Sequence, residues 1–144
     1  MQVGQILGTK GKRVVLATTD MTLREAAQTL EKERIGAMVV TSAGGEIVGI
    51  VSERDIVHAM ARHGAAVTDK RVSDVMTKGV VTCAPQSSID DVMREMTSRR
   101  FRHLPVLDGG RLAGIISIGD VVKWRLEELE AEASTLKEYI VGSR

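Results

Sequence analysis

Gly49-Ile50-Val51-Ser52-Glu53-Arg54-Asp55 and Gly114-Ile115-Ile116-Ser117-Ile118-Gly119-Asp120 are two copies of one segment, and they decide the fold. In each, an apolar run of strand type ends at a hydroxyl residue, with an aspartate three positions later and an apolar helical pattern beyond. That is a strand turning directly into a helix N-terminus. At such a junction the first backbone N–H groups lack intrahelical acceptors and the helix dipole is positive, so a phosphate or another anion is favoured there. Ser-x-x-Asp is also an ordinary helix cap. Either copy alone reads as a cap before it reads as a site, but one segment written twice suggests one site made twice.

Outward from these copies the chain keeps repeating. Val3, Ile6 and Leu7 have helical spacing, and Val72, Val75 and Met76 repeat the pattern at the head of the second half. Thr9-Lys10-Gly11 and Thr77-Lys78-Gly79 follow, then strand pairs at Val14-Val15 and Val80-Val81, with Lys12-Arg13 inserted in the first half. Thr22-x-x-Glu25 and Ser88-x-x-Asp91 read as capping boxes. They open helices with apolar faces at Leu23, Ala26, Ala27 and Leu30, and at Ile89, Val92, Met93 and Met96. Strands at 37–41 and 104–107 lead through Gly44-Gly45 or Gly109-Gly110 into the opening segment, as β-hairpins.

Each half therefore reads strand, helix, strand, strand, helix. The fold class is α+β, with two pseudo-twofold β-α-β-β-α repeats packed sheet to sheet, since a unit of about 60 residues is marginal alone. The first repeat spans 1–66, the second 67–125, and a C-terminal helical tail 126–144. Gly64 to Asp69 reads as a short linker. In the tail, Leu126, Leu129, Ala133, Leu136 and Ile140 continue an apolar seam, and Glu127, Glu128, Glu130 and Glu132 keep the other face soluble. The seam either packs on its own module or pairs with a second chain; its length past the counterpart helix favours a homodimer.

Composition removes several function classes. Twenty basic against nineteen acidic residues leave a formal charge of +1, so no global field points to nucleic acid or an acidic membrane. Aromatics are 2% of the chain, which nearly removes base-stacking platforms. The one cysteine, Cys83, excludes an internal disulfide and reads as a buried structural thiol. No apolar run reaches membrane-spanning length and no signal peptide opens the chain, so the expected location is cytoplasmic. His58 and His63 are five apart, which misses the i, i+4 spacing of a two-histidine metal site. There is no Ser/His/Asp set, nucleophile elbow, Walker loop or paired-carboxylate motif in a credible context, and the expectation is a non-catalytic protein without a metal.

The chain resembles the tandem cystathionine-β-synthase (CBS) domain pair, or Bateman module, over almost all its length before about Arg125. The resemblance rests on the element order given twice, the Gly-x-x-Ser-x-x-Asp segments, Arg-His-Leu-Pro-Val at Arg102 to Val106, and Val-Met-Thr at Val75 to Thr77. It implies a regulatory module that binds an adenine nucleotide (AMP, ADP, ATP or, in some members, NAD(H); also S-adenosylmethionine) in clefts between the halves and signals to a partner protein. No required cofactor is implied. An ionised carboxylate is an acceptor-only group suited to two hydrogen bonds from a ribose diol.

Carried over by resemblance, one cleft would use Ser117 and Asp120, with Arg102 and His103 beside the phosphates and Thr9, Lys12, Val14, Ile35 and Gly36 from the opposite half. The other would use Ser52, Arg54 and Asp55, with Thr77, Lys78, Val80 and Phe101. The two differ in charge: Gly119 replaces Arg54, while Gly36 and Ala37 stand where Arg102 and His103 stand in the other half. Lys10, Lys12, Arg13, Arg102 and His103 could surround a polyphosphate, which ranks the Asp120 cleft first. By strand alternation Arg102 would share the face of Leu104 and Val106, and His103 the opposite one. The alternatives are a structural dimerisation or protein-interaction module with vestigial clefts, and a nucleic-acid binder working through Lys10, Lys12, Arg13 and residues 99–102, which the near-zero charge disfavours.

Overall fold

A computed structural model describes residues 1–11 and 13–142. In chain order the elements are α1 (Val3–Lys10), β1 (Leu16–Thr18), α2 (Leu23–Glu33), β2 (Ala37–Thr41), β3 (Ile47–Ser52), α3 (Glu53–His63), a 3-10 helix (Gly64–Asp69), α4 (Val72–Val75), α5 (Ile89–Arg99), β4 (His103–Asp108), β5 (Arg111–Ser117) and α6 (Ile118–Gly142). Two compact units result, Arg13–Thr82, and Met1–Lys12 together with Cys83–Arg144.

In the unit Arg13–Thr82, β1 runs parallel to β2 through the α2 crossover, and β2 returns antiparallel as β3. Thr22 caps α2 by accepting the Glu25 N–H at 3.1 Å, and the helix ends at Arg34 in a left-handed conformation, φ 54°. Its face of Leu23, Ala26 and Leu30 is buried with Ala17, Met38, Val40, Val51, Ala59, Val67 and Val72 in one core. The strand expected at Val14-Val15 begins two residues later. The parallel ladder to β2 pairs Leu16 to Thr18 with Val39 to Thr41, and Val15, just ahead of it, packs on the core. The stretch expected as a linker is the 3-10 helix, whose Val67 is buried. The next residues are stitched back to the β1–α2 turn: Leu23 N–H donates to Lys70 O, Val72 N–H to Met21 O and Ser73 N–H to Thr19 O.

The other unit repeats the plan. Ser88 caps α5 through the Asp91 N–H at 3.1 Å, and β4 and β5 form a hairpin around Gly109-Gly110, both at positive φ. The third strand is reduced to one residue. Cys83 bridges in parallel to Val106, its N–H donating to Pro105 O and its carbonyl accepting from Leu107 N–H. The strand expected at Val80-Val81 does not form, because that segment ends the other unit and meets no edge for a ladder.

Helix α1 belongs to this unit. Val3 N–H donates to Ser87 O, Gly4 N–H to Pro85 O and Ile89 N–H to Met1 O, which matches the stitching of residues 70–73 to residues 19–23. Val3, Ile6 and Leu7 are buried, and α1 packs on β5 and α6. As sequence repeats the segments keep their order. As compact bodies, each holds the leading segment written ahead of the other repeat. Beyond Arg125, α6 continues almost entirely exposed. No helix among the described residues is long and apolar enough to cross a membrane.

Candidate functional site

Both copies of the opening segment cap their helices. Ser52 Oγ accepts the Asp55 N–H at 3.3 Å, while the Asp55 carboxylate accepts the Ser52 N–H at 2.9 Å and the Ser52 hydroxyl at 3.0 Å. Ser117 Oγ accepts the Asp120 N–H at 3.2 Å, and Asp120 accepts the Ser117 N–H at 2.9 Å. A second anchor is also repeated: Glu53 N–H donates to Gly36 O, and Ile118 N–H to Arg102 O. The first and third N–H groups of each helix are therefore taken. The N–H left for an anion is that of Arg54 in one copy and Gly119 in the other, the position at which the two copies differ.

The glycines that open the copies explain how the rest of each site arrives. A Cβ on Gly49 would lie 2.7 Å from Met76 Sδ and 2.9 Å from Thr77 O; one on Gly114 would lie 2.7 Å from a Leu7 methyl. At Gly49 a backbone carbonyl stands in the way, so a glycine is needed for this approach; at Gly114 the obstacle is the end of the Leu7 side chain, from the segment that opens the chain. At Gly49 the approach is an extended one, with Ile50 and Thr77 exchanging backbone hydrogen bonds, and it sets the Thr77 hydroxyl 3.3 Å from Asp55 Oδ1. At Gly114 the approaching segment is helical through Lys10, so the register differs. Lys10 Nζ reaches Asp120 Oδ2 at 2.6 Å and Ile115 O at 3.1 Å, and the Thr9 hydroxyl turns back to Gln5 O. The sequence offered Lys10 only as one of several phosphate cations. Its contact with the carboxylate depends on α1 being a helix to its last residue, which the Thr-Lys-Gly match obscured.

The two carboxylates are consequently held by different chemistry. Asp55 is half-buried among hydroxyl donors. For Asp120, burial would raise the pKa, but the Lys10 hydrogen bond and charge and the Ser117 donors outweigh it and hold the carboxyl below its ordinary 3.8. The hydrogen bonds from Lys10 Nζ and the Ser117 N–H to Asp120 both fall on Oδ2.

Sheet register places the flanking residues. His103 lies directly opposite Ser117, and Ala37 opposite Ser52, so the correspondence read between the halves is a register correspondence. His103 shares the side of Ser117, opposite Leu104 and Val106, as alternation expects, but Arg102 precedes the strand, is exposed and is not sorted by it; Leu104, Pro105 and Val106 are all buried. Arg54, Lys78 and Thr9 are exposed, and Val80 and Phe101 half-buried. Val14, Ile35 and Gly36 belong to the unit of Asp55, and Phe101 to that of Asp120. Lys12 lies outside the described residues. Cys83 is half-buried, its thiol raised to about 11 by that burial, and among the described residues no group of three or more histidine, cysteine or acidic side chains could hold a metal ion.

The CBS domain family model matches residues 3–62 and again residues 72–127. The chain belongs to the CBS domain family. A crystal structure of a CBS-domain protein from Agrobacterium tumefaciens is 52% identical, with a TM-score of 0.84 over 87% of this chain and 99% of that one. The CBS domain pair of protein MJ0100, solved with 5'-methylthioadenosine and S-adenosyl-L-methionine, is 26% identical with a TM-score of 0.79 over 89% and 98% of the two chains. A CBS domain protein from Pyrobaculum aerophilum, solved with AMP, is 27% identical with a TM-score of 0.74 over 83% and 89%. This chain is thus a CBS pair of α+β construction, two small sheets with their helices and a C-terminal helix.

Proposed function

We propose that this CBS pair is a non-catalytic sensor of an adenosine-containing ligand, AMP, ADP, ATP or NAD(H), and passes its occupancy to a partner protein. The observation that carries the reading is one arrangement built twice: a half-buried aspartate at the mouth of a helix, locked to its serine, with the neighbouring segment supplying one further donor. A carboxylate so fixed suits a ribose diol, and the N–H of Arg54 or Gly119 at the helix end suits a phosphate. The AMP and S-adenosylmethionine complexes of two relatives support this class of ligand.

In this reading Asp120 and Ser117 take the ribose in the first-ranked site, with His103, Arg102 and Lys10 toward the phosphates. Asp55, Ser52, Thr77, Arg54 and Lys78 do the same in the second. Occupancy alters the protein only through its differential affinity for the two arrangements it selects between. Titration calorimetry with AMP, ADP, ATP, NADH and S-adenosylmethionine tests the reading on the intact chain and on Asp55→Ala and Asp120→Ala. Binding that each substitution removes at one site is the expected result. No heat and no thermal shift with any of the five at millimolar ligand overturns it.

A further inference from the structure

From Val122 onward α6 carries an apolar row at Val122, Leu126, Leu129, Ala133, Leu136 and Ile140, in the alternating four- and three-residue spacing of a coiled-coil seam. Four of its side chains are largely open to solvent: Val122 is 46% exposed, Leu126 55%, Leu129 45% and Leu136 60%. We propose that a second copy of this chain covers it, the two tails pairing in parallel and in register.

The charges beside the row select both the occupant and the direction. With Leu126, Ala133 and Ile140 as the first apolar position of each heptad, Arg125 and Glu132 flank one side, and Glu130 and Lys137 the other. In a parallel pair a residue on the first side meets, on the second helix, the residue five positions later, which lies on the other side of the row. Arg125 then faces Glu130 of the second copy, and Glu132 faces Lys137 of the second copy. Both contacts join opposite charges, and symmetry makes each of them twice. An antiparallel pair centred on the same row would bring Glu130 close to Glu130 of the second copy and Glu132 close to Glu132, which repels. Arg125 already reaches Glu128 of its own helix at 3.1 Å, so Glu132 with Lys137 is the pair that sets direction most strongly. The row spans under three heptads, and an isolated helix of that length is marginal in water; here α6 is anchored at its start by Val121, which is buried.

Sedimentation equilibrium of the full chain tests the pairing, with circular dichroism to confirm that each variant is folded. The intact chain should be a dimer at micromolar concentration, and Leu129→Glu with Leu136→Glu should be a folded monomer. Lys137→Glu should weaken the dimer by on the order of tenfold, and adding Glu132→Lys should restore it. Direction is read by a disulfide in a Cys83→Ala background. Leu126→Cys alone should cross-link to itself under mild oxidation, because only a parallel pair brings the two positions together. A monomeric intact chain, a dimer indifferent to Leu129→Glu with Leu136→Glu, or Leu126→Cys that cross-links only when Leu136→Cys is added would overturn the proposal.

Discussion

Replacing Lys10 with methionine separates two roles that its position allows. The ammonium group sits on Asp120 Oδ2 at 2.6 Å, with 37% of the lysine side chain and 22% of the aspartate side chain exposed. A carboxylate has about two acceptor positions on each oxygen, and those of Oδ2 are filled by Lys10 and the Ser117 N–H. A ribose diol that donates one hydrogen bond to each oxygen must therefore displace Lys10. The pair is short but more than a third open to water on the lysine side, so screening reduces it to about 1 kcal/mol. Lys10→Met should then cost about 1 kcal/mol of stability, or roughly 2–4 °C in melting temperature for a chain of this size. The same quantity reappears in binding with opposite sign. Adenosine, which has no phosphate to gain from the cation, should bind the Asp120 site about fivefold more tightly, since about 1.4 kcal/mol is tenfold. ATP should gain less or lose, because the displaced ammonium can meet a phosphate. Calorimetry on Lys10→Met in an Asp55→Ala background measures both. If adenosine and ATP weaken together, Lys10 is a ligand contact and not a competitor.

Gly49→Ala and Gly114→Ala should both destabilise, by about 1–3 kcal/mol in chemical denaturation. Gly49→Ala should cost more, because its new methyl meets a backbone carbonyl and Leu7 can turn aside at Gly114; equal costs would contradict the close-approach account. Arg34 and Arg100 end α2 and α5 at φ 54° and 58°, so Arg34→Gly and Arg100→Gly should each raise stability by about 0.5–1 kcal/mol, read from the shift in denaturation midpoint. Asp120 has its folded pKa below the ordinary 3.8. Its contribution is complete above the unfolded value and is lost as pH falls through the folded one. A plot of stability against pH should accordingly flatten below about pH 4 in Asp120→Asn relative to the intact chain, and an unchanged slope would show that the pair adds nothing.

The fold was legible because each signal was local and given twice. Thr22 and Ser88 sit at the helix starts they announce, and Gly44-Gly45 and Gly109-Gly110 sit in the hairpins they announce. Where the reading slipped, a long-range partner set the outcome. Val14-Val15 and Val80-Val81 have strand composition, but the parallel pairing falls just after them, Leu16 to Thr18 on β2 in one unit and Cys83 alone on β4 in the other. In sequence Gly49 and Gly114 are parts of a motif, and the reason for them, a segment pressed against the strand, is invisible along the chain. The same holds for Lys10, whose partner lies 110 positions away.

The asymmetry between the copies now has a physical form. Asp55 is held by neutral hydroxyls, with the exposed Arg54 one position before it. Asp120 has a cation on the carboxylate itself and Gly119, with no side chain, at the helix end. A ligand that brings a ribose and several phosphates finds an open cation beside the first carboxylate, whereas at the second it must move one already engaged. A ligand with a ribose and little negative charge leaves Arg54 without a gain and leaves Lys10 as the cost. Charge on the ligand, more than its base, is therefore the variable on which the two sites should diverge, and it follows from where the register puts Lys10 and Thr77.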